Sequence, residues 1–360
     1  MELREKVFFQ KKNYSKLVKT KKRKFKELTI KDMALSKKDS KTFWKLLGRL
    51  KENDKNDLFM NKIPEHKWKS TFEGILRNVK EPSYPPDSTE TGPLDFEITL
   101  EELKEASYVL RNGKAPGPDA ISNEMLKCIL EAKPSILLKL FNSILIYNGK
   151  TTDWYTSMLI LLHKKGKKTE PTNYRGISLL SCVSKLFTAI LNKRLLNFVK
   201  ERNILSEEQL GFVAGNRTSD AHIIIHNIIQ KYCHKENKRI HSCFVDFSKA
   251  FDSIPRDTLF NKLKTYGITG NFYNVLKNMY SNDTTRIKLG EYLTETIYPN
   301  QGVRQGCILS PLLFNIYLAD LPRRLQLAQN GPKIGDKLVN NIIWADDLVI
   351  LSETEEGLKG

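Results

Sequence analysis

Two adjacent acids, Asp346 and Asp347, lie between two short apolar runs rich in β-branched residues, at 342–344 and 348–351. Such runs predict two buried strands joined by a tight turn. Like charges placed side by side next to buried strands are costly unless a positive group neutralises them, and carboxylate oxygens are ligands that suit Mg²⁺. Taken alone, the pair also fits an ordinary ion-pair network. A further acid is needed to favour a metal site.

That acid is Asp246, which ends a short and largely apolar run predicted to be a strand. After it, Pro255 is predicted to open a helix with Leu259 and Leu263 on one face. If the fold brings Asp246 beside the Asp-Asp turn, three carboxylates could hold two Mg²⁺ ions. Two such ions can activate an attacking hydroxyl and stabilise a leaving pyrophosphate in phosphoryl transfer. The sequence therefore predicts a two-metal site.

Three motifs follow one another along the chain: FVDFSKAFD at 244–252, RQGCILSP at 304–311 and WADD at 344–347. This ordered set resembles the palm motifs of reverse transcriptases, particularly those of non-LTR (LINE-type) retrotransposons. The stretch GKAPGPD at 113–119 is similar to one that precedes the polymerase fingers in that family, which extends the resemblance back to about residue 96. The resemblance implies an α+β fold, the fingers and palm of a right-hand polymerase.

The resemblance also implies roles for individual residues. The catalytic residues and metal ligands would be Asp246, Asp346 and Asp347, with Asp347 the lesser ligand. The nucleotide would be bound by Lys164 or Lys165, Arg175, Phe251, Gln305 and Gly306. In the family, the aromatic residue matching Phe251 lies under the sugar and excludes a 2′-hydroxyl. Two other interpretations stay open: a solvated basic turn at Lys164 and Lys165, and an ordinary core role for Phe251.

A strongly basic charge indicates a polyanionic partner. The formal net charge is +18, and residues 1–26 contain eleven Lys or Arg against two Glu. Nucleic acid is favoured over an anionic membrane. The run Lys21, Lys22, Arg23 and Lys24 is predicted to contact nucleic acid, with a nuclear-import signal and a solvated helix face as alternatives.

The predicted organisation has four parts. They are a basic helical N-terminal extension (1–80), a linker (81–95), an upstream segment with the fingers (96–240), and a palm that is truncated after the Asp-Asp motif (241–360), with the reverse transcriptase domain spanning about 140–360. Thr99 and Glu102 predict a capping box at a helix start, and a hairpin with a basic tip is predicted between 159 and 181. We expect a fragment of a longer reading frame, without a thumb or an endonuclease.

The expected function is that of an RNA-directed DNA polymerase, a nucleotidyltransferase. It would use two Mg²⁺ ions, with Mn²⁺ as an alternative, and would bind an RNA template, a DNA primer and dNTP. The alternatives are another palm polymerase such as a viral RNA replicase, which Phe251 as a sugar gate disfavours, and a decayed or domesticated RNA-binding remnant without catalysis. Dispersed cysteines and the lack of a signal peptide or membrane-length apolar run favour the nucleus or cytoplasm, in a ribonucleoprotein. The sequence does not indicate an oligomeric state.

Overall fold

The computed structural model describes residues 63–147, 152–327 and 330–358, and part of the stretch 17–32. The chain divides into two compact units, residues 1–62 and residues 63–360. The described residues of the first unit are helical and exposed, and they include Lys21, Arg23 and Lys24. Lys22 lies outside the described residues.

Residues 63–80 belong to the second unit rather than to the extension predicted over 1–80. The helix α1 (Glu65–Leu76) buries Trp68 and Phe72. The ring of Trp68 packs edge-on against Tyr174, with the ring centroids 4.9 Å apart. Burial of two large aromatic side chains removes more apolar surface from water than a solvated basic helix could, which explains why the boundary lies near residue 62.

Among its described residues, the second unit contains nine strands and ten further α-helices. In chain order they are α2 (Leu100–Ser107), α3 (Asn123–Ala132), α4 (Ser135–Tyr147), α5 (Thr152–Tyr155), α6 (Cys182–Glu201), α7 (Thr218–Ile229) with a π-helical continuation (Gln230–Lys235), α8 (Arg256–Thr265), α9 (Gly270–Ser281), α10 (Ser310–Leu318) and α11 (Leu321–Gln326). The strands are β1 (Thr156–His163), β2 (Tyr174–Leu179), β3 (His241–Asp246), β4 (Thr284–Leu289), β5 (Tyr292–Leu293), β6 (Lys333–Ile334), β7 (Lys337–Leu338), β8 (Asn341–Trp344) and β9 (Asp347–Ser352). The predicted helix after Pro255 is confirmed as α8.

The palm sheet has the order β3-β9-β8, with both pairs antiparallel. Trp344 pairs with Asp347, so only Ala345 and Asp346 form the turn between β8 and β9. Ala345 has a positive φ of 57°, as the two-residue turns that suit the twist of a hairpin require. The predicted hairpin with a tight turn is therefore confirmed.

The fingers sheet has the order β2-β1-β4-β5. The predicted hairpin is confirmed by the antiparallel pairing of β1 with β2, while β1 pairs with β4 in parallel. The connection between β1 and β2 carries Lys164 and Lys165, both exposed. Arg175 lies in β2, opposite Leu162 of β1. The basic residues of the hairpin are thus held by a sheet that also contains β4, a strand from much later in the chain.

The segment 81–95, predicted as a linker, is an extended strap fixed to α9. The Asp95 carboxylate accepts hydrogen bonds from the backbone N–H groups of Asn271 (2.9 Å) and Phe272 (2.7 Å) in the first turn of that helix. Asn274 exchanges hydrogen bonds with the backbone of Ser88. The Pro-rich composition disfavours helix and sheet pairing, so the strap is held by hydrogen bonds between side chains and backbone in both directions, from Asp95 to α9 and from Asn274 of α9 to the strap.

Helix α6 lies in the main core, and its Arg194 binds the segment before α2. The buried guanidinium donates two hydrogen bonds of 2.7 Å to Glu102 and others to the carbonyls of Leu94, Phe96 and Glu97. The predicted capping box of Thr99 and Glu102 is confirmed. Arg194 thereby ties the start of α2 to the core.

We expect Arg194→Met to lower the free energy of unfolding by about 2–4 kcal/mol, because Glu102 and three carbonyls lose their donor. Burial opposes ionisation of Glu102, but the Arg194 and Thr99 hydrogen bonds hold its pKa below the usual value. A lowered folded-state pKa gives stability that is present at neutral pH and is lost as pH falls through that pKa. Urea unfolding of the parent and the variant should therefore show a smaller difference in the free energy of unfolding at pH 4 than at pH 7. An equal loss at both pH values would contradict the ionic contribution.

Candidate active site

A cavity of about 660 Å³ lies between the fingers hairpin and the palm hairpin. The predicted site residues that line it are Asp246, Asp346, Lys164, Arg175, Phe251, Gln305 and Gly306. Lys165 and Asp347 do not line it. Of the two lysines left open by the sequence, Lys164 is therefore the one that faces the cavity.

The three acids lie at the same end of the palm sheet. Asp246 lies directly opposite Asp347 in the β3–β9 pair. Asp346 lies in the turn, and its carbonyl accepts a hydrogen bond from the backbone N–H of Phe247 at 3.4 Å. Opposed like charges are destabilising in a sheet, and none of the three acids forms a salt bridge within the described residues. The site has oxygen donors of the type that a divalent cation takes.

Across the parts of the chain that the structure describes, no group of three or more His, Cys, Asp or Glu side chains is placed to hold a metal ion. The predicted three-acid cluster is thus not formed as a complete ligand set: Asp246 and Asp346 share the cavity, whereas Asp347 is exposed outside its lining. Asp346 lies in the two-residue turn, whereas Asp347 is the first residue of β9. The two consecutive side chains therefore leave backbones of different conformation and point in different directions.

Phe251 is half-buried, and it both lines the cavity and packs on the core. Its ring stacks on Phe314 of α10, with centroids 4.8 Å apart and planes 5° apart, and meets Phe212 edge-on at 5.7 Å. The stack fixes the orientation of the ring, and the face of the cavity that it forms is therefore rigid.

The loop before α10 runs along the segment that follows β3. Backbone N–H groups of Gly302 and Val303 each donate a 2.8 Å hydrogen bond, to the carbonyls of Ile254 and Phe251 respectively. Gly302 has a φ of 75°, and a Cβ atom there would come within 2.6 Å of the carbonyl oxygen of Asp252. Only glycine permits this approach.

The loop is equally close to the fingers. The backbone N–H of Ser178 in β2 donates a 2.9 Å hydrogen bond to the carbonyl of Gln305. Gly306 has a φ of 110°, and a Cβ atom there would lie 2.7 Å from the Ser178 carbonyl oxygen. The Gln305–Gly306 backbone is therefore held against both palm and fingers, at the wall of the cavity.

A buried charge cluster that the sequence did not reveal supports this loop. Arg256 and Arg304 each place a guanidinium nitrogen 2.9 Å from a different carboxylate oxygen of Asp283. All three side chains are at most 4% exposed. Asp283 lies just before β4, and no local pattern marks it, because its partners are 27 and 21 positions away.

Backbone carbonyls accept further hydrogen bonds from both guanidinium groups, whereas the buried Nε of Arg304 has no partner among the described residues. Arg256 donates to the carbonyls of Gly302 and Pro299, and Arg304 donates to those of Trp154 and Met279. The cluster thereby joins both ends of the loop to α9 and to the residues before β1. It carries one negative charge against two positive ones, and the carbonyl dipoles offset the difference.

A polymerase palm and fingers enclose a cavity whose lining includes acids of the palm, Asp246 and Asp346, and cations of the fingers, Lys164 and Arg175. This arrangement defines a class of nucleotidyl-transferring proteins. The family model described as "Reverse transcriptase (RNA-dependent DNA polymerase)" matches residues 162–360, more than half of the chain, and the chain belongs to this family. The reverse-transcriptase-like fold expected from the motifs is confirmed. Members of the family generally use divalent metal ions.

Three similar proteins of known name come from mobile elements. The chain is 33% identical over 243 residues to "Probable RNA-directed DNA polymerase from transposon BS" of Drosophila melanogaster (66% of this chain, 26% of that protein). It is 29% identical over 262 residues to "Retrovirus-related Pol polyprotein from type-2 retrotransposable element R2DM" of the same species (73% and 24%). It is 27% identical over 259 residues to "RNA-directed DNA polymerase from mobile element jockey" of Drosophila funebris (71% and 28%). The chain spans about a quarter of the length of these relatives.

Among solved structures, an apo telomerase from Candida tropicalis truncated from the C-terminal domain matches 61% of this chain and 49% of its own. The TM-score is 0.41 and the sequence identity is 14%. No helix of the described residues has the length and apolar character needed to cross a membrane.

Proposed function

We propose that this chain is the polymerase core of a non-LTR retrotransposon reverse transcriptase, which transfers a nucleotidyl group from dNTP to a primer 3′-hydroxyl. The observation that carries this proposal is a cavity whose lining contains both carboxylates of the palm and cations of the fingers. In phosphoryl transfer the protein chiefly positions the reactants and neutralises charge, and these two sets of residues supply both functions.

Each group has a separate task in this scheme. Lys164 and Arg175 bind the triphosphate by charge, and Arg175 can do so with two parallel hydrogen bonds. Asp246 and Asp346 hold the divalent cations, for which two Mg²⁺ ions are proposed, with Mn²⁺ as an alternative. When bound, such ions favour ionisation of the primer hydroxyl and neutralise the pyrophosphate. Phe251 forms the wall beside the sugar.

The proposed nucleic-acid partners are an RNA template and a DNA primer. The formal charge of +18 supports a polyanionic partner. Lys21, Arg23 and Lys24 are exposed on a helix, and Arg23 forms an i,i+4 ion pair with Glu27 at 3.3 Å. These side chains are proposed to contact phosphates.

The test is extension of a DNA primer on an RNA template by the purified chain, with Mg²⁺ and dNTP. We expect dNTP-dependent extension that requires the divalent cation and falls steeply with salt, because the backbone contacts are electrostatic. Salt-sensitive RNA binding without any extension would favour the non-catalytic RNA-binding remnant instead. Loss of both binding and extension at low salt would contradict each reading.

Phe251→Ala should reduce discrimination against ribonucleotides by about 10- to 100-fold, because removing the ring opens room for a 2′-hydroxyl. The measurement is the ratio of kcat/KM values for dNTP and NTP. Phe251→Tyr keeps the ring and should keep the ratio. Thermal melting of both variants accounts for the lost stack on Phe314. An unchanged ratio in Phe251→Ala would leave Phe251 with its packing role alone.

A further inference from the structure

Asp252 is a cavity residue to which the resemblance assigns no contact with nucleotide. Its Oδ1 atom accepts a hydrogen bond from Nε2 of Gln305 at 2.8 Å, and both residues line the cavity. An ionised carboxylate can only accept hydrogen bonds, so it draws the amide nitrogen of Gln305 toward itself and turns the amide oxygen away. We infer that Asp252 is a positioning residue that presents the Gln305 Oε1 atom to the nucleoside part of the bound nucleotide.

The backbone of Gln305 is already fixed without Asp252. Ser178 binds its carbonyl, and the adjacent Gly306 packs against the same residue of β2. On the other side, Arg304 is held by Asp283. The side-chain torsions of Gln305 are the freedom that remains, and the bond to Asp252 removes it. A long polar side chain otherwise loses rotamer entropy when a ligand orders it.

The charges around Asp252 favour its role as an acceptor. Burial raises the pKa of Asp252 above its usual value, and the Gln305 hydrogen bond and the charges of Arg175, Lys249 and Lys164 offset only part of that rise. Two of these cations are the proposed triphosphate ligands. Asp252 therefore acts in two opposite directions: its charge weakens attraction of phosphate, and its hydrogen bond improves recognition of the rest of the nucleotide.

The chemistry of a nucleotide separates these two effects. Phosphate oxygens in the triphosphate accept hydrogen bonds, whereas in dTTP the sugar hydroxyl and the ring N–H of thymine donate them. An oriented amide oxygen therefore recognises only the nucleoside part. Inorganic tripolyphosphate has the charges without the nucleoside. The Kd of tripolyphosphate divided by the Kd of dTTP therefore isolates the contribution of Gln305. This inference rests on the proposed function.

The experiment titrates dTTP and tripolyphosphate, without primer, into the parent chain and four variants. Asp252→Asn should lower the ratio about five- to tenfold, because a neutral amide no longer selects one orientation of Gln305. Tripolyphosphate itself should bind Asp252→Asn as tightly as the parent or more tightly. Gln305→Leu should lower the ratio similarly, and the double variant should show no further fall, as expected when one residue acts through the other.

Asp320→Asn is the matched control, since its carboxylate pairs with Lys262 and does not line the cavity. It should leave the ratio unchanged, and thermal melting should verify the fold of each variant. If Asp252→Asn does not fold, Gln305→Glu provides the test. That variant keeps an oxygen acceptor but makes the contact with Asp252 repulsive, so the ratio must still fall.

An unchanged ratio in Asp252→Asn, or additive effects in the double variant, would overturn the inference. The proposed function would still be supported if the parent chain bound dTTP. If Asp252→Asn does not fold, retention of the ratio by Gln305→Glu would overturn it. Absence of dTTP binding by the parent chain would contradict the proposed function and this inference together.

Discussion

Asp346→Asn should reduce primer extension at least about a thousandfold while leaving RNA binding within about twofold of the parent. The proposed cations contribute several kcal/mol of charge stabilisation to the transition state, and each 1.36 kcal/mol corresponds to a factor of ten in rate. Asn has nearly the same shape as Asp, so the turn between β8 and β9 should persist. Single-turnover extension on an RNA template measures the rate, and a filter-binding titration measures the affinity.

Two comparisons make this result specific. Asp320→Asn, outside the cavity, should extend primers at the parental rate. Asp347→Asn should reduce extension less than Asp346→Asn, because Asp347 does not line the cavity. Equal rates for Asp346→Asn and the parent would show that the carboxylate has no part in the chemistry, even if the chain polymerises.

The second large effect is expected from Asp283→Asn, which removes the negative charge between two buried guanidinium groups. The expected loss in the free energy of unfolding is about 3–5 kcal/mol, the range for breaking a buried ion pair by removing one partner. That is a large part of the 5–15 kcal/mol that stabilises a typical domain. Urea unfolding of the purified chain measures it. The wall formed by Gln305 and Gly306 should also loosen, because Arg304 then keeps only its carbonyl partners.

Asp87→Asn supplies the control for this prediction. Asp87 pairs with Lys277, but its side chain is 55% exposed, so the loss should be at most about 1 kcal/mol. A loss of similar size in both variants would mean that the buried cluster is not a specific source of stability. A stabilised Asp283→Asn would show that burying the Asp283 carboxylate costs more than its attraction to the two guanidinium groups provides.

Much of the local structure followed from sequence patterns of short range. The capping box at Thr99 needs only two residues three positions apart, and the β8–β9 hairpin needs two apolar runs with a short gap. The helix after Pro255 and the basic fingers hairpin were predictable for the same reason. Where prediction went wrong, as at the boundary near residue 80, a distant partner decided the outcome: Trp68 is buried because Tyr174 lies beside it.

The sequence by itself determined the family and the types of residue in the site, because ordered motifs carry both. Only the tertiary structure decided which residues meet in the cavity. It selected Lys164 over Lys165, placed Asp346 inside and Asp347 outside the lining, and joined Asp252 to Gln305. It also formed the cluster of Arg256, Asp283 and Arg304. Such contacts depend on the packing of strands and helices from distant parts of the chain, which no local period or spacing encodes.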